Sequence, residues 1–441
     1  MSSKVTVVGA GLAGSECALQ LARRGIHVRL IEQRPCHPSP AHHTDGFAEL
    51  VCSNSLKSTK PDSAAGLLKR ELDGMGSYLL GFARQCAVPA GGALAVDRER
   101  FSAMVTTSVC SNPLIDVVRQ EALEIPEDPC VIAAGPLCSE ALFSAVESAV
   151  GEGHMSFFDA AAPIVSAESI DRTIAFSQSR YEEGVGDYLN CPMNREEYEA
   201  FIDALLGASR VIGRDFEQKD LFCACQPVEE VARTGRDAIR FGALKPVGLT
   251  DPRTGHRPWA AVQLRAETAD ALAYNLVGFQ TNLTWPEQRR VFRMIPGLED
   301  AEFLRYGVMH RNSFVDSPHV LDKTFKIPGT QARLAGQICG TEGYVEAIAS
   351  GLLAALNTYA DLSGFEPVEL PKTSSFGALV SYATDPATKD YQPMHVNFGI
   401  VPPLETHVRD KVRRRAELAA RAERDFDAYL ASRPELFAVS E

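Results

Sequence analysis

Three cysteines stand where a thiol could react rather than pack. Cys52 sits in the run Leu50-Val51-Cys52-Ser53-Asn54-Ser55, and a polar stretch is an odd neighbour for a core cysteine. Cys223 and Cys225 flank Ala224 and lead into Gln226-Pro227, a loop-like context. The thiolate is the reactive form, and at an ordinary thiol pKa of about 8.5 it accumulates only beside positive charge or a helix N-terminus. His42, His43, Arg240 and Lys245 are candidates to supply that setting. The ordinary alternative for any cysteine is burial in a core. A metal reading of Cys223 and Cys225 has poor support, because no second pair stands at zinc-ligand spacing. The adjacent His42 and His43 cannot share one strand face, so they suit proton transfer or phosphate contact better than joint chelation.

The elements that would position these groups begin just upstream. Residues 5–8 form a β-rich apolar run, Gly9-Ala10-Gly11-Leu12-Ala13-Gly14 a turn, and 15–24 a helical pattern with apolar Cys17, Ala18, Leu21 and Ala22. Gly25 supplies the C-cap, and 26–31 reads as a second strand ending at Glu32. This is a β-turn-α-β dinucleotide site with each fingerprint residue in its expected context. Its glycines permit the tight turn and the approach of a pyrophosphate to the helix N-terminus, and Glu32 accepts a hydrogen bond from a ribose. Residues 130–134 look like a later strand of the same sheet. The stretch from about 160 to 305 changes character, with a helix at 195–206 and apolar runs at 260–264 and 275–279. Residues 332–335 then read as a strand, Gly336-Gln337-Ile338-Cys339-Gly340 as a turn and 344–356 as a helix. Flavoproteins of this general architecture hold the ribityl chain and ring with such a late strand, turn and helix. Gly336, Gln337, Gly343 and Tyr344 therefore join Gly9, Ala10, Gly11, Leu12, Ala13, Gly14 and Glu32 as candidate cofactor contacts. No second GxGxxG is present, so a nicotinamide nucleotide would visit transiently. The fold class expected is α/β, a Rossmann-type FAD-binding domain with an inserted α+β domain.

Composition sets outer bounds. The chain has 441 residues, 45% hydrophobic and 23% charged, as in ordinary globular proteins. No run reaches the roughly 18 apolar residues of a membrane span, and the start enters a strand-like run without a cleavable signal pattern. Eleven cysteines in such a chain fit a reducing cytoplasm better than a disulfide framework. A net charge of −13 argues against a binder that uses its whole surface for nucleic acid. It leaves room for a local basic patch, and Arg409, Lys411, Arg413, Arg414 and Arg415 form one ahead of an alanine-rich helical stretch with Arg421 and Arg424. That stretch is either a solvated amphipathic helix or a phosphate-tracking arm.

Long motifs carry a resemblance that spans residue 5 to at least residue 404. They are VVGAGLAGSE at 7–16, PAHHTDGFAELVCSNSL at 40–56, YLNCPMNREEY at 188–198, RFGALKPVGL at 240–249, AGQICGTEGYVEAIASGLLAALN at 335–357 and YQPMHVNFGIVPP at 391–403. The chain closely resembles the folate- and FAD-dependent tRNA uracil-5-methyltransferases, the TrmFO family. The related MnmG (GidA) proteins share the flavin domain but carry a longer C-terminal region and a different cysteine context. The resemblance implies a GidA and glutathione-reductase-like FAD domain in two parts, 1–160 and 306–365, an insertion at 161–305, and a C-terminal segment at 366–441 with the basic helix.

It also implies a methyl transfer without S-adenosylmethionine. Methylenetetrahydrofolate supplies the carbon, reduced FAD receives it, NAD(P)H supplies electrons, and 5-methyluridine forms at the T-loop uridine of tRNA. The family's flavin-proximal cysteine falls on Cys52. Its second cysteine falls on Cys225, expected to add to uracil, with Cys52 as the base or the guard of the flavin-bound carbon. Cys191 is expected to be structural or to line the substrate pocket. Three positions depart from the family pattern: Cys223 for Glu, Gln226 for an apolar residue and Ala134 for Thr. No membrane association and no stable protein partner are expected. The alternatives are the same chemistry on ribosomal RNA, a non-catalytic RNA-binding flavoprotein, and a plain flavin reductase.

Overall fold

The computed structural model describes residues 4–39, 41–151, 154–160, 162–180, 186–211, 226–307, 309–388 and 391–437. Strand β1 (Lys4–Val8) is buried on both faces apart from Lys4, as its unbroken apolar run demands of a central parallel strand. It pairs in parallel with β2 (His27–Glu32) on one side and with Cys130–Ile132 on the other. Ile115–Arg119 extends the sheet beyond β2, and Ala332–Leu334 extends it beyond Cys130–Ile132. The late strand thus returns to the first sheet, two places from β1. The crossover helix α1 (Leu12–Arg23) begins three residues earlier than its apolar periodicity suggests, immediately at the glycine turn. Gly25, at φ +75°, ends it.

A six-stranded antiparallel sheet is built from the intervening chain. Its order is Phe176–Ser177, Tyr188–Met193, Ala260–Ala266, Ala273–Leu276, Ile164–Ser166 and Phe303–Arg305. The Arg195–Gly207 helix buries Tyr198, Phe201, Ile202 and Leu205, spaced as one helical face. A capping box between Asn194 and Glu197 fixes its start. The run 275–279 is strand only to Leu276, because Gly278, at φ +80°, turns the chain away. Residues 309–315 and 154–160 form a two-stranded antiparallel ladder.

The helix Tyr344–Ser363 is longer than its sequence pattern suggests and is buried along most of its length. It lies against α1 so closely that a Cβ on Gly351 would stand 2.0 Å from the Ala13 carbonyl oxygen. Gly14 is equally constrained, since a Cβ there would stand 1.7 Å from the Gly9 carbonyl oxygen. No atom packs at such distances, so only glycine lets the two helices meet. Among the described residues no helix is long and apolar enough to cross a membrane. Gly351→Val should force the two helices apart and lower unfolding stability by about 1–3 kcal/mol or more, as read from denaturant midpoints.

Candidate functional site

The turn after β1 opens onto a cavity of about 440 Å³, within the range of small-molecule sites. Gly9 takes φ +97°, and a Cβ there would meet the Ala133 carbonyl oxygen at 2.5 Å. Gly11 is different: a Cβ on it would meet nothing within 4 Å, so its bare backbone faces open space at the cavity wall. No side chain caps α1 at Gly11, which leaves the first-turn N–H groups for an anion. The helix Tyr344–Ser363 starts at the same cavity, and its N-cap Gly343, at φ +113°, provides no side-chain cap either. Two helix N-termini therefore present partial positive charge to one cavity.

Glu32, at the end of β2, lines the far end. Its carboxylate accepts the Ala10 N–H at 2.8 Å, the Arg34 N–H at 3.0 Å and the Arg34 Nε–H at 2.9 Å. Burial alone would raise its pKa, but the Arg34 charge and these donors outweigh it and hold the group below its ordinary value. Glu32 is thus a charged acceptor, held in place with one lone pair to spare for a ribose hydroxyl. Arg34 also reaches Glu49 at 3.2 Å. Gly9, Gly11, Leu12, Ala13, Gly336, Gln337, Gly343 and Tyr344 all line the cavity. Ala10 and Gly14 do not. Ala10 is buried and supports Glu32, while Gly14 makes room for the Gly9 carbonyl.

Cys52 lies on the cavity wall beside Tyr344. The Tyr344 hydroxyl accepts the N–H of Cys52 at 2.8 Å and that of Ser53 at 3.2 Å. Its oxygen lies 3.1 Å from Cys52 Sγ. A hydroxyl has two lone pairs and one proton, so with both lone pairs engaged the proton is directed at the sulfur. Burial first, and then the neighbouring thiol, keep the Tyr344 hydroxyl protonated far above the ordinary phenol range. Tyr344 is therefore a permanent donor to Cys52, favouring its thiolate.

The polar run after Cys52 has a structural reason. Arg265, on the antiparallel sheet, donates to Asn54 Oδ1 at 2.7 Å and to Ser53 Oγ at 2.8 Å. Asn54 in turn donates to the carbonyls of Val96 at 3.1 Å and Ala266 at 2.9 Å. Arg98 donates to the carbonyl of Leu50 at 2.8 Å and pairs with Glu267. Arg98 and Arg265 are thus the cations that bond the residues flanking Cys52. The Arg240 guanidinium instead covers the Trp259 ring at 3.7 Å, and neither Arg240 nor Lys245 lines the cavity. These arginines are distant in sequence and carried no signal that could pair them with Cys52.

His42 also lines the cavity, its Nδ1 2.5 Å from Ser39 Oγ. Burial first, and the Arg34 charge second, push it down to about 4. His43 is exposed, and its N–H donates to Glu49. Lys57, which also lines the cavity, pairs with Glu346 at 2.9 Å, and burial first and Lys57 second lower the pKa of His395. Cys191 lies in the sheet core away from the cavity, and burial pushes its thiol up to about 12, so it is structural. Cys339 is buried in the same way and also stands at about 12. Cys223 and Cys225 lie outside the described residues.

Comparison with known proteins agrees with this geometry. The family model described as glucose inhibited division protein A (GIDA) matches residues 4–366. A Geobacter sulfurreducens protein named methylenetetrahydrofolate–tRNA-(uracil-5-)-methyltransferase TrmFO is 53% identical, covering 98% of this chain and 100% of that protein. The chain belongs to the GidA family, in its TrmFO branch. A protein of the same name from Acetivibrio thermocellus is 51% identical, covering 96% of this chain and 97% of its own. The solved structure of Aquifex aeolicus GidA, form I crystal, superposes with a TM-score of 0.70 at 16% identity, covering all of this chain and 78% of that one. At that identity the likeness shows the fold: a GidA-like FAD-binding domain.

Two outcomes follow from the site. Tyr344→Phe removes the donor to sulfur, so alkylation of Cys52 at neutral pH should slow by about 10-fold, with its pH profile displaced upward, as followed by mass spectrometry. His42 is held neutral in the fold and binds a proton more readily once unfolded. Its contribution to stability is therefore complete above pH ~6.5 and falls as the pH drops toward about 4. In His42→Gln the denaturant midpoint should fall less steeply across that window.

Proposed function

We propose that the chain is a folate- and FAD-dependent enzyme that methylates carbon-5 of a uridine in tRNA, the T-loop uridine. Methylenetetrahydrofolate is the carbon donor and NAD(P)H the reductant. The observation that carries this reading is the Cys52–Tyr344 pair on the wall of a dinucleotide cavity. The near-full-length relatives named for this activity support it.

The cavity residues fit FAD. Gly11 and the uncapped start of α1 would receive the pyrophosphate and Glu32 the adenosine ribose, while Gly336, Gln337, Gly343 and Tyr344 would hold the ribityl chain and ring. Bound there, FAD would supply electron transfer from NAD(P)H and accept the one-carbon unit from folate.

The chain's own residues supply the thiols. Carbon-5 of uracil is a poor nucleophile until a thiolate adds to carbon-6. Cys225 takes that role in this proposal. The carbon-5 proton must then leave, and Cys52 is the base for it. Tyr344 stabilises the Cys52 thiolate that accepts the proton, and the Arg265 contacts to Ser53 and Asn54 fix the sulfur's position. Tyr344 remains protonated throughout and is a positioning residue. RNA would meet an exposed basic surface at Lys411, Arg413, Arg414 and Arg415, which open the Lys411–Ser432 helix before it packs through Leu418. The cytoplasm, with reduced thiols, suits this chemistry.

The test is transfer of label from methylenetetrahydrofolate, with NADPH and FAD, into tRNA and ribosomal RNA transcripts offered separately. Label is expected in tRNA as 5-methyluridine, and Cys225→Ala and Cys52→Ala should each reduce it by at least about 100-fold. Label confined to ribosomal RNA would overturn the target, and no label from flavin-loaded protein would overturn the activity.

A further inference from the structure

At the edge strand Phe303–Arg305 of the antiparallel sheet, three aromatic rings lie face to face. Trp285 and Tyr306 stack with centroids 5.4 Å apart and 14° between their planes. Tyr306 and Phe303 continue the stack at 5.3 Å and 12°. Trp285, the first residue of the Trp285–Phe292 helix, is 57% exposed. Tyr306 covers one face of the indole, so that exposure falls on the other face and the ring edge. Arg289, one turn along, donates to the Tyr306 hydroxyl through Nε at 3.0 Å and Nη2 at 2.7 Å. Among the described residues no carboxylate pairs with Arg289, whereas Arg290 beside it is matched by Glu287.

The stack is tied to the loop that leads to the cavity. Arg305, the residue before Tyr306, donates to the carbonyl of Ala41 at 3.2 Å, in the loop that carries His42 to the cavity wall. Its charge also helps to lower the pKa of His43. A single exposed apolar side chain needs no explanation. A ladder of three parallel rings, with an arginine that no described carboxylate matches held on its middle ring, is a different matter. Every nucleobase has a π-face, so a held, open indole receives one whatever its sequence. The guanidinium beside it suits the adjoining phosphate. On a chain of net charge −13 such a local cation is what RNA requires.

We propose that Trp285, backed by Tyr306 and Phe303 and flanked by Arg289, is a platform on which an unstacked base of the RNA substrate rests. The inference builds on the RNA-methylating activity proposed above. A uridine inside a folded RNA must leave its stack to reach a thiol in a cavity, and the bases it parts from need another surface.

The test is the affinity of FAD-loaded protein for a tRNA transcript, read by anisotropy. Flavin content and thermal unfolding check that each variant is folded. Trp285→Ala should weaken binding by about 5- to 150-fold, and Trp285→Phe, which keeps a flat ring, by much less. Arg289→Gln should reduce the slope of log affinity against log salt by about 0.7–0.9. The indole should also report directly: RNA should quench the fluorescence of the wild type, and the quench should vanish in Trp285→Phe. If the wild type methylates tRNA and Trp285→Ala binds it equally well, the platform is wrong and the activity stands. If Trp285→Ala changes only the oligomeric state in sedimentation, the face joins two copies of the chain and the proposal fails. A wild type that binds no RNA overturns the platform and the activity together.

Discussion

The contact between α1 and the helix Tyr344–Ser363 is the constraint on which the site depends. Gly351 against the Ala13 carbonyl brings together two helices that are more than three hundred residues apart in sequence. Both begin at uncapped glycines, and both beginnings face one cavity. An anion placed there gains from two helix termini, each worth a few tenths to one kcal/mol at an exposed site and more where water is excluded. The same contact sets Tyr344 opposite Cys52. One close approach therefore shapes the cofactor site and also orients the thiol.

The electrostatics of the cavity are divided between its ends. At one end Glu32, Arg34 and Glu49 form a buried, hydrogen-bonded set in which the carboxylates remain charged. Left unpaired, such groups would cost several kcal/mol to bury, so this set specifies a geometry more than it adds stability. At the other end the protonated Tyr344 hydroxyl faces the Cys52 sulfur, and Arg98 and Arg265 hold the residues on either side of it. His42 stays neutral at neutral pH, and so adds no positive charge near Glu32. Charge separated in this way suits a ligand with polar phosphates and ribose at one end and a redox-active ring at the other.

Much of this was legible in the sequence, for reasons that are local. β1, the glycine turn, α1 and Glu32 are fixed by neighbours within thirty residues, and their pattern is that of the structure. The late strand, turn and helix were legible in the same way, and Tyr344 was singled out beside them. Its role as a donor to Cys52 was not, because that depends on two backbone N–H groups almost three hundred residues away. Arg265, on a strand, and Arg98, at the start of a helix, were likewise hidden, since an arginine reads as a surface residue until its partners are known. Arg240, a cation in a long motif, lies over the Trp259 ring and donates to the Trp259 carbonyl, while Cys223 and Cys225, which it was also a candidate to serve, lie outside the described residues. Ala10 and Gly14 belong to the fingerprint yet support the cavity from behind its wall.

The most direct test is a crystal structure of the protein with FAD. The pyrophosphate is expected at the first-turn N–H groups after Gly11, the adenosine ribose on Glu32 and the flavin ring against Cys52 and Tyr344. A dinucleotide bound in another place, or a ring on the far side of the cavity from the Cys52 sulfur, would contradict this placement.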